Sequence, residues 1–185
     1  MRLFAAVPLP EAAHAAAADV LRQLRSHGWP VRWVREDGLH ITLKFFGEVV
    51  GERFDIITEL VQFAVAGMAP VELAVTGAGA YPGLDRPKVI RLDLDAGGPE
   101  LELLQDRLER GGLEIGFAPE GRPFHPHITL GRVKEGQRLP AGARDILAGV
   151  AAQSSFRADR VILFESLASP EGPRYDPRLE LQLPG

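Results

Sequence analysis

The chain has 185 residues, with 21 Lys and Arg against 25 Asp and Glu and no cysteine. That length fits one domain or two small lobes sharing a core, and a formal charge of −4 exerts no long-range pull on nucleic acid or an anionic membrane, so any anion site must be built locally. Without cysteine there are no disulfides, no thiolate catalysis and no Cys-ligated metal, which fits a reducing, cytoplasmic compartment.

The first apolar run, Leu3 to Val7, is stopped by Pro8 and Pro10, as a short buried strand would be. It is too short for the core of a signal peptide, and no later run approaches the roughly 20 apolar residues of a membrane span. Pro10 opens the alanine-rich "EAAHAAAADVLRQLRSH", a helix with Val20, Leu21 and Leu24 on one side, ended by Gly28 and Pro30. "VRWV" reads as a brief strand and "LHITLKFFG" as a longer one. In "GERFDIITELVQFAVAG", Phe54, Ile57, Leu60, Val61 and Ala64 recur at helical spacing. "VELAVTGAGAY" reads as a strand, although its glycine-rich end, "TGAGAYPG", has the composition of a turn and lacks the residues of a phosphate loop.

The second half repeats this order. "KVIRLDL" is a strand, and "GPELELLQDRLERGG" a helix opened by Pro99 and closed by Gly111 and Gly112. A loop containing Pro119 and Pro123 leads to the strand "HPHITLGRV". A short helix follows near Ala141 to Val150, and "SSFRADRVILFESLA" and "RLELQLPG" supply the closing strands. His-Ile-Thr-Leu occurs at His40 and again at His127, and the strands starting at Leu3 and Val89 are separated by nearly the same interval. An offset of about 87 residues shared by whole elements indicates a duplicated strand-helix-strand-helix-strand unit. The expectation is a single domain of two pseudo-symmetric lobes.

Side chains two apart on a strand share a face. His40 and Thr42 therefore face one way while Ile41 and Leu43 anchor the other, and His127 and Thr129 stand likewise against Ile128 and Leu130. Two such strands meeting across a cleft would converge two imidazoles and two hydroxyls. Near neutral pH one imidazole can hold a proton while the other lacks it. Hydroxyls, aided by a cation, can hold phosphoryl oxygens as charge develops. That set suits a phosphodiester.

On the paired His-x-Thr motifs and their flanks, "RLFAAVPLP", "VRWVREDGLHITLKFFGEV" and "RPFHPHITLGRV", the chain resembles the 2H phosphoesterase superfamily. Within it, the resemblance is to the RNA 2',3'-cyclic phosphodiesterases, historically called 2'-5' RNA ligases. The resemblance implies an α+β, bilobal, duplicated fold in which two antiparallel β-sheets face each other across a central cleft, with helices outside. It implies metal-independent opening of RNA 2',3'-cyclic phosphate ends to a 2'-phosphomonoester and a free 3'-hydroxyl, with no cofactor. His40 would be the general acid and His127 the general base, a division that a near-symmetric site could exchange, and Thr42 and Thr129 would bind phosphate. Arg132 and Phe45 match positions where a guanidinium and an aromatic ring could contact phosphate or the terminal base. Strand parity, however, gives the His40 face to Phe46, so Phe45 requires a bulge or a strand end.

Other residues read more plainly. Lys44 shares strand parity with His40 and, with Arg32, Arg35, Arg122 and Lys134, could form a basic rim for RNA. His125 reads as a loop residue behind the site, and His14 and His27 as exposed helix residues, His27 near a helix C-terminus. Trp33 reads as packed. A metal hydrolase using His40, His125 and His127 as ligands is an alternative, as is a non-catalytic module gripping RNA 3' ends; joining RNA ends by the reverse reaction is a further possibility. The expected partners are RNA 3' ends bearing a cyclic phosphate, with no membrane and a monomer as the default state.

Overall fold

A computed structural model describes residues 1–184, and at residue 96 the backbone alone. Along the described chain the elements are β1 (Arg2–Pro8), α1 (Glu11–Arg25), β2 (Val31–Trp33), β3 (His40–Glu48), α2 (Phe54–Val65), β4 (Val71–Tyr81) and β5 (Val89–Ala96), followed by α3 (Gly98–Glu114), β6 (His127–Val133), α4 (Ala143–Ala148), β7 (Ala151–Ala158), β8 (Arg160–Leu167) and β9 (Arg174–Gln182). None of the described helices is long and apolar enough to cross a membrane.

The strands form a continuous antiparallel sheet in the order β7-β4-β5-β6-β3-β1-β8-β9, with β2 added beside β6. The two sheets expected from the resemblance are thus the two four-strand halves of one sheet, β7-β4-β5-β6 and β3-β1-β8-β9, joined where Ile41 pairs with Ile128. The strand that follows α2 in sequence, β4, lies in the other half from β3, and β8 lies beside β1.

Inside β1, Leu3 to Val7 are all buried. Leu3, Ala5 and Val7 belong to the main hydrophobic core, together with Leu21 and Leu24 of α1, Ile57 and Val61 of α2 and Leu101, Leu104 and Leu108 of α3. Each such large aliphatic side chain contributes roughly 1.5–3 kcal/mol through its burial. Phe4 faces the other way, toward the ring of His40, 4.9 Å between centroids.

Glycines account for two departures from the sequence reading. The helix α3 runs through Gly111 and Gly112 rather than ending there. A Cβ at Gly111 would lie 2.2 Å from Leu60 Cδ1, and one at Gly112 2.6 Å from Lys44 Cε, so these glycines serve close packing. The stop comes at Gly116, whose φ of +84° is the left-handed conformation of a helix terminus. Similarly, "TGAGAY" is not a turn but the continuation of β4, since a Cβ at Gly77 would meet Val150 O at 2.7 Å and one at Gly79 would meet the Asp93 carboxylate. "SSFRADRVILFESLA" divides at Asp159 into β7 and β8. The final strand starts earlier than expected, at Arg174, and carries Pro177 at a register shift on the sheet edge, where a residue without an N–H is tolerated.

Candidate active site

The two histidine strands meet at the centre of the sheet. Ile41 and Ile128 pair across it and are fully buried, so alternation turns His40, Thr42, His127 and Thr129 to the opposite face. The antiparallel register sets His40 beside Thr129 and Thr42 beside His127, leaving the two histidines on the diagonal.

Each imidazole is held by the carbonyl two residues upstream. His40 Nδ1–H donates to Gly38 O at 2.8 Å, and His127 Nδ1–H to His125 O at 2.7 Å. This fixes the neutral tautomer and leaves both Nε2 atoms without a proton. His40 Nε2 accepts from the Thr42 hydroxyl at 2.9 Å. The turn that offers Gly38 O is itself tied down: His14 Nε2 bonds Glu36 O at 2.7 Å, and Arg35 makes paired bonds to Asp37 at 3.0 and 2.9 Å and another to Glu171. His14, expected as an exposed helix residue, is therefore a partly buried tether, and Arg35, expected on an RNA rim, is occupied by carboxylates.

The two imidazoles have different surroundings. His40 sits among Phe4, Phe164 and Tyr175, with the Tyr175 ring edge-on at 5.2 Å. Burial, reinforced by His127 and opposed by the bond to Gly38 O, lowers its pKa to about 4. Burial also lowers the pKa of His127, where Arg91 and Arg132 act in the same direction against the bond to His125 O and the Asp93 carboxylate. The Tyr175 hydroxyl is pushed above its usual range by burial.

Two bulges determine what else reaches this face. In β3, Ala6 opposes Thr42 and Ala5 opposes Lys44, so Leu43 is an extra residue; in β6, Arg91 opposes Thr129 and Ile90 opposes Gly131, so Leu130 is extra. An extra residue reverses the alternation downstream. Phe45 is consequently exposed, its ring 5.7 Å from Phe4, while Phe46 is buried against Phe117. Arg132 is exposed at the equivalent place in β6. The reversal also corrects Lys44: it is not a rim cation on the His40 face but a buried residue whose ammonium pairs with Glu109 at 2.9 Å beneath α3.

A cavity of about 340 Å³ opens here, walled on one side by Thr42 and Phe45 and on the other by Arg91, His127, Thr129 and Arg132. Tyr81, Gln105, Arg122 and Phe124 complete its rim, with Arg122 over the Tyr81 ring at 5.1 Å. His40 stands one layer behind, reaching the wall through Thr42. His125 is exposed and also lines the cavity. Arg32 and Lys134 are exposed outside it, and Trp33 packs toward Trp29. Among the described residues, no three His, Asp or Glu side chains converge as metal ligands, so the His40, His125 and His127 set is not assembled.

Sequence reading missed Arg91, Asp93 and Tyr175. Arg91 lies opposite Thr129 and Asp93 opposite His127. The two side chains contact at 2.8 Å, yet the buried Arg91 Nε makes no well-aligned hydrogen bond, so that donor is unsatisfied. The signal was present in "VIRLDL": Ile90 and Leu92 are core residues, and period-2 alternation turns Arg91 and Asp93 to the histidine face. Tyr175 lies in the part of β9 that Pro177 obscured.

Comparison with known proteins gives concordant results. Residues 9–169 match the family described as the 2'-5' RNA ligase superfamily. An RNA 2',3'-cyclic phosphodiesterase of Aeropyrum pernix is 33% identical over 176 residues, covering 88% of this chain and 92% of that protein. One of Methanothermobacter thermautotrophicus is 34% identical over 182 residues, covering 95% of each. Among solved structures, a Thermus thermophilus protein superposes with a TM-score of 0.84 at 28% identity, covering 100% of this chain and 99% of that one. E. coli LigT complexed with 3'-AMP gives 0.79 at 26% identity over 100% and 98%.

Proposed function

The chain belongs to the 2'-5' RNA ligase superfamily, and from that premise we propose that it is an RNA 2',3'-cyclic phosphodiesterase. It opens the cyclic phosphate at an RNA 3' end without a metal, leaving a 2'-phosphomonoester and a free 3'-hydroxyl. The observation that carries this reading is the pair of His-x-Thr strands meeting at Ile41 and Ile128, each histidine with Nδ1–H on a carbonyl and an unprotonated Nε2, that of His40 held by the Thr42 hydroxyl.

His127 Nε2 removes a proton from water as the water oxygen bonds to phosphorus. The bond from phosphorus to the 3' oxygen breaks, and that oxygen takes the proton held on His40 Nε2. Protonation of His40 Nε2 releases the Thr42 hydroxyl proton from that nitrogen, so Thr42 and Thr129 donate to the phosphoryl oxygens, and Arg91 supplies the positive charge beside them. His40 must enter this step protonated, and its low pKa in the free protein opposes that. The bound phosphodiester anion restores the proton, because an adjacent negative charge favours the imidazolium. Phe45 and Arg132, brought to the same face by the two bulges, flank the terminal nucleotide.

The test is incubation with an oligoribonucleotide ending in 2',3'-cyclic phosphate, with a chelator present. The expected product is the 2'-phosphate isomer, and His40→Ala and His127→Ala should each lose roughly 10²–10⁴-fold in rate. Turnover that requires added metal, or that survives either substitution, would overturn the mechanism.

A further inference from the structure

We propose that a second, cation-lined groove beside the catalytic cavity binds the phosphodiester backbone of nucleotides upstream of the reacting end. The inference rests on the proposed RNA substrate and extends it from a terminal nucleotide to a polymer. The groove has a volume of about 480 Å³ and lies between the loop that joins β4 to β5 and the segment that leads from β6 into α4. Arg86, Lys88, Arg138 and Arg144 supply its charge, and Leu84 and Leu139 lie among them. All four cations are exposed. Asp85, the acidic residue of the lining, pairs with Arg144 at 2.5 Å and leaves Arg86, Lys88 and Arg138 to attract anions.

Its position follows from the sheet. Tyr81, Val89 and Arg132 belong to the rim and wall of the catalytic cavity, and the groove begins in the residues between Tyr81 and Val89. Lys88 N–H bonds Tyr81 O at 2.7 Å, Val133 N–H bonds Lys88 O at 2.9 Å, and Val89 pairs with Arg132. Lys88 is thus fixed to the same backbone frame as the cavity wall. In a chain with a net charge of −4, this concentration of cations matches no general basic character. A positively charged track next to an aromatic and guanidinium platform is the arrangement that holds single-stranded nucleic acid, with the backbone on the track and the terminal base on the platform.

The experiment compares two substrates: a dinucleotide ending in 2',3'-cyclic phosphate and an oligoribonucleotide of roughly ten nucleotides with the same end. In wild type the longer substrate should have the lower KM, and its kcat/KM should fall more steeply with salt. Arg86→Glu with Arg138→Glu should raise KM for the long substrate roughly tenfold to a hundredfold and flatten its salt dependence, leaving the dinucleotide unchanged. If activity on both substrates collapses because the double variant misfolds, Arg86→Gln with Arg138→Gln decides by the same ratio. An unchanged ratio of long to short substrate in the folded variant overturns the groove while leaving the phosphodiesterase reading intact. Absence of wild-type turnover on both substrates overturns both.

Discussion

Leu43 and Leu130 are each the unpaired residue of a bulge, and each lies three positions after a histidine, in β3 and β6 respectively. Each extra leucine reverses strand parity, so the fifth residue after each histidine, Phe45 in one strand and Arg132 in the other, returns to the histidine's face. An aromatic ring and a guanidinium therefore border the same cavity. This relationship separates two neighbouring phenylalanines. Phe45→Ala removes a ring that is 51% exposed, and it should raise KM for the cyclic-phosphate substrate while changing stability little. Phe46→Ala empties a buried site and should cost roughly 3–5 kcal/mol in denaturant unfolding with KM spared in the folded fraction. The opposite pattern would show that the strand is unbroken.

The pH dependence follows from the low proton affinity of both imidazoles. His40 titrates at about 4, and His127 is held below the usual imidazole range. The active free enzyme carries one proton between them, and the apparent pKa values belong to the pair. The profile of kcat/KM should therefore be bell-shaped with both limbs below about pH 6.5, falling about tenfold per unit on the alkaline side. The kcat profile should be displaced upward, because the bound phosphodiester anion favours the imidazolium. A kcat/KM that rises between neutral and alkaline pH would contradict this.

The same burial couples His40 to stability. Its imidazole gains a proton at about 6.5 when unfolded but only at about 4 when folded. The unfolded state thus binds more protons within that window, so the stability is complete above it and is lost as the pH falls through it, by at most about 3 kcal/mol. His40→Gln should flatten the pH dependence of the urea midpoint across this range.

Arg91 lies opposite Thr129 and keeps its guanidinium on the histidine face, its Nε 2.8 Å from the Asp93 carboxylate. Arg91→Met should lower kcat roughly a hundredfold by removing charge from beside the phosphoryl oxygens. It should also raise the pKa of His127, because Arg91 holds that pKa down while Asp93 raises it. Imidazole NMR titration of the free variant reads the shift directly. A His127 titration that stayed where it was would show that the Arg91 charge does not reach the imidazole.

The legible parts of the molecule were those with strict periodicity. Alternation in "HITL" put two histidines and two threonines on one face of their strands, and helical spacing located α1 and α2. What was hidden depended on contacts between distant segments. Gly111 and Gly112 look like a helix stop, but their meaning lies in Leu60 and Lys44 pressing against them. Lys44 has the parity of a site residue, and only the bulge at Leu43, set by its pairing with β1, turns it inward. Arg91 and Asp93 obeyed the alternation rule in full, yet their proximity to His127 is a fact of sheet order, which a single strand does not reveal.

The Lys44–Glu109 pair links this hidden architecture to the cavity. The Lys44 side chain is 1% exposed and that of Glu109 15%, and the second carboxylate oxygen of Glu109 accepts the Glu120 N–H at 3.0 Å. One partly buried carboxylate therefore joins the bulged strand to the loop that carries Glu120, Arg122 and Phe124 along the cavity. Removing it with Glu109→Leu strands an ammonium in the interior, a change that typically costs roughly 3–5 kcal/mol. Adding Lys44→Met removes the orphaned charge and should recover most of that stability, since a buried pair replaced by apolar residues of similar volume is often neutral. The double variant still lacks the acceptor for Glu120 N–H, so its loop should stay loose, with faster amide exchange across residues 117–124 and a raised KM. Recovery of stability without recovery of KM is the expected signature. Recovery of both would mean that the pair serves the core alone.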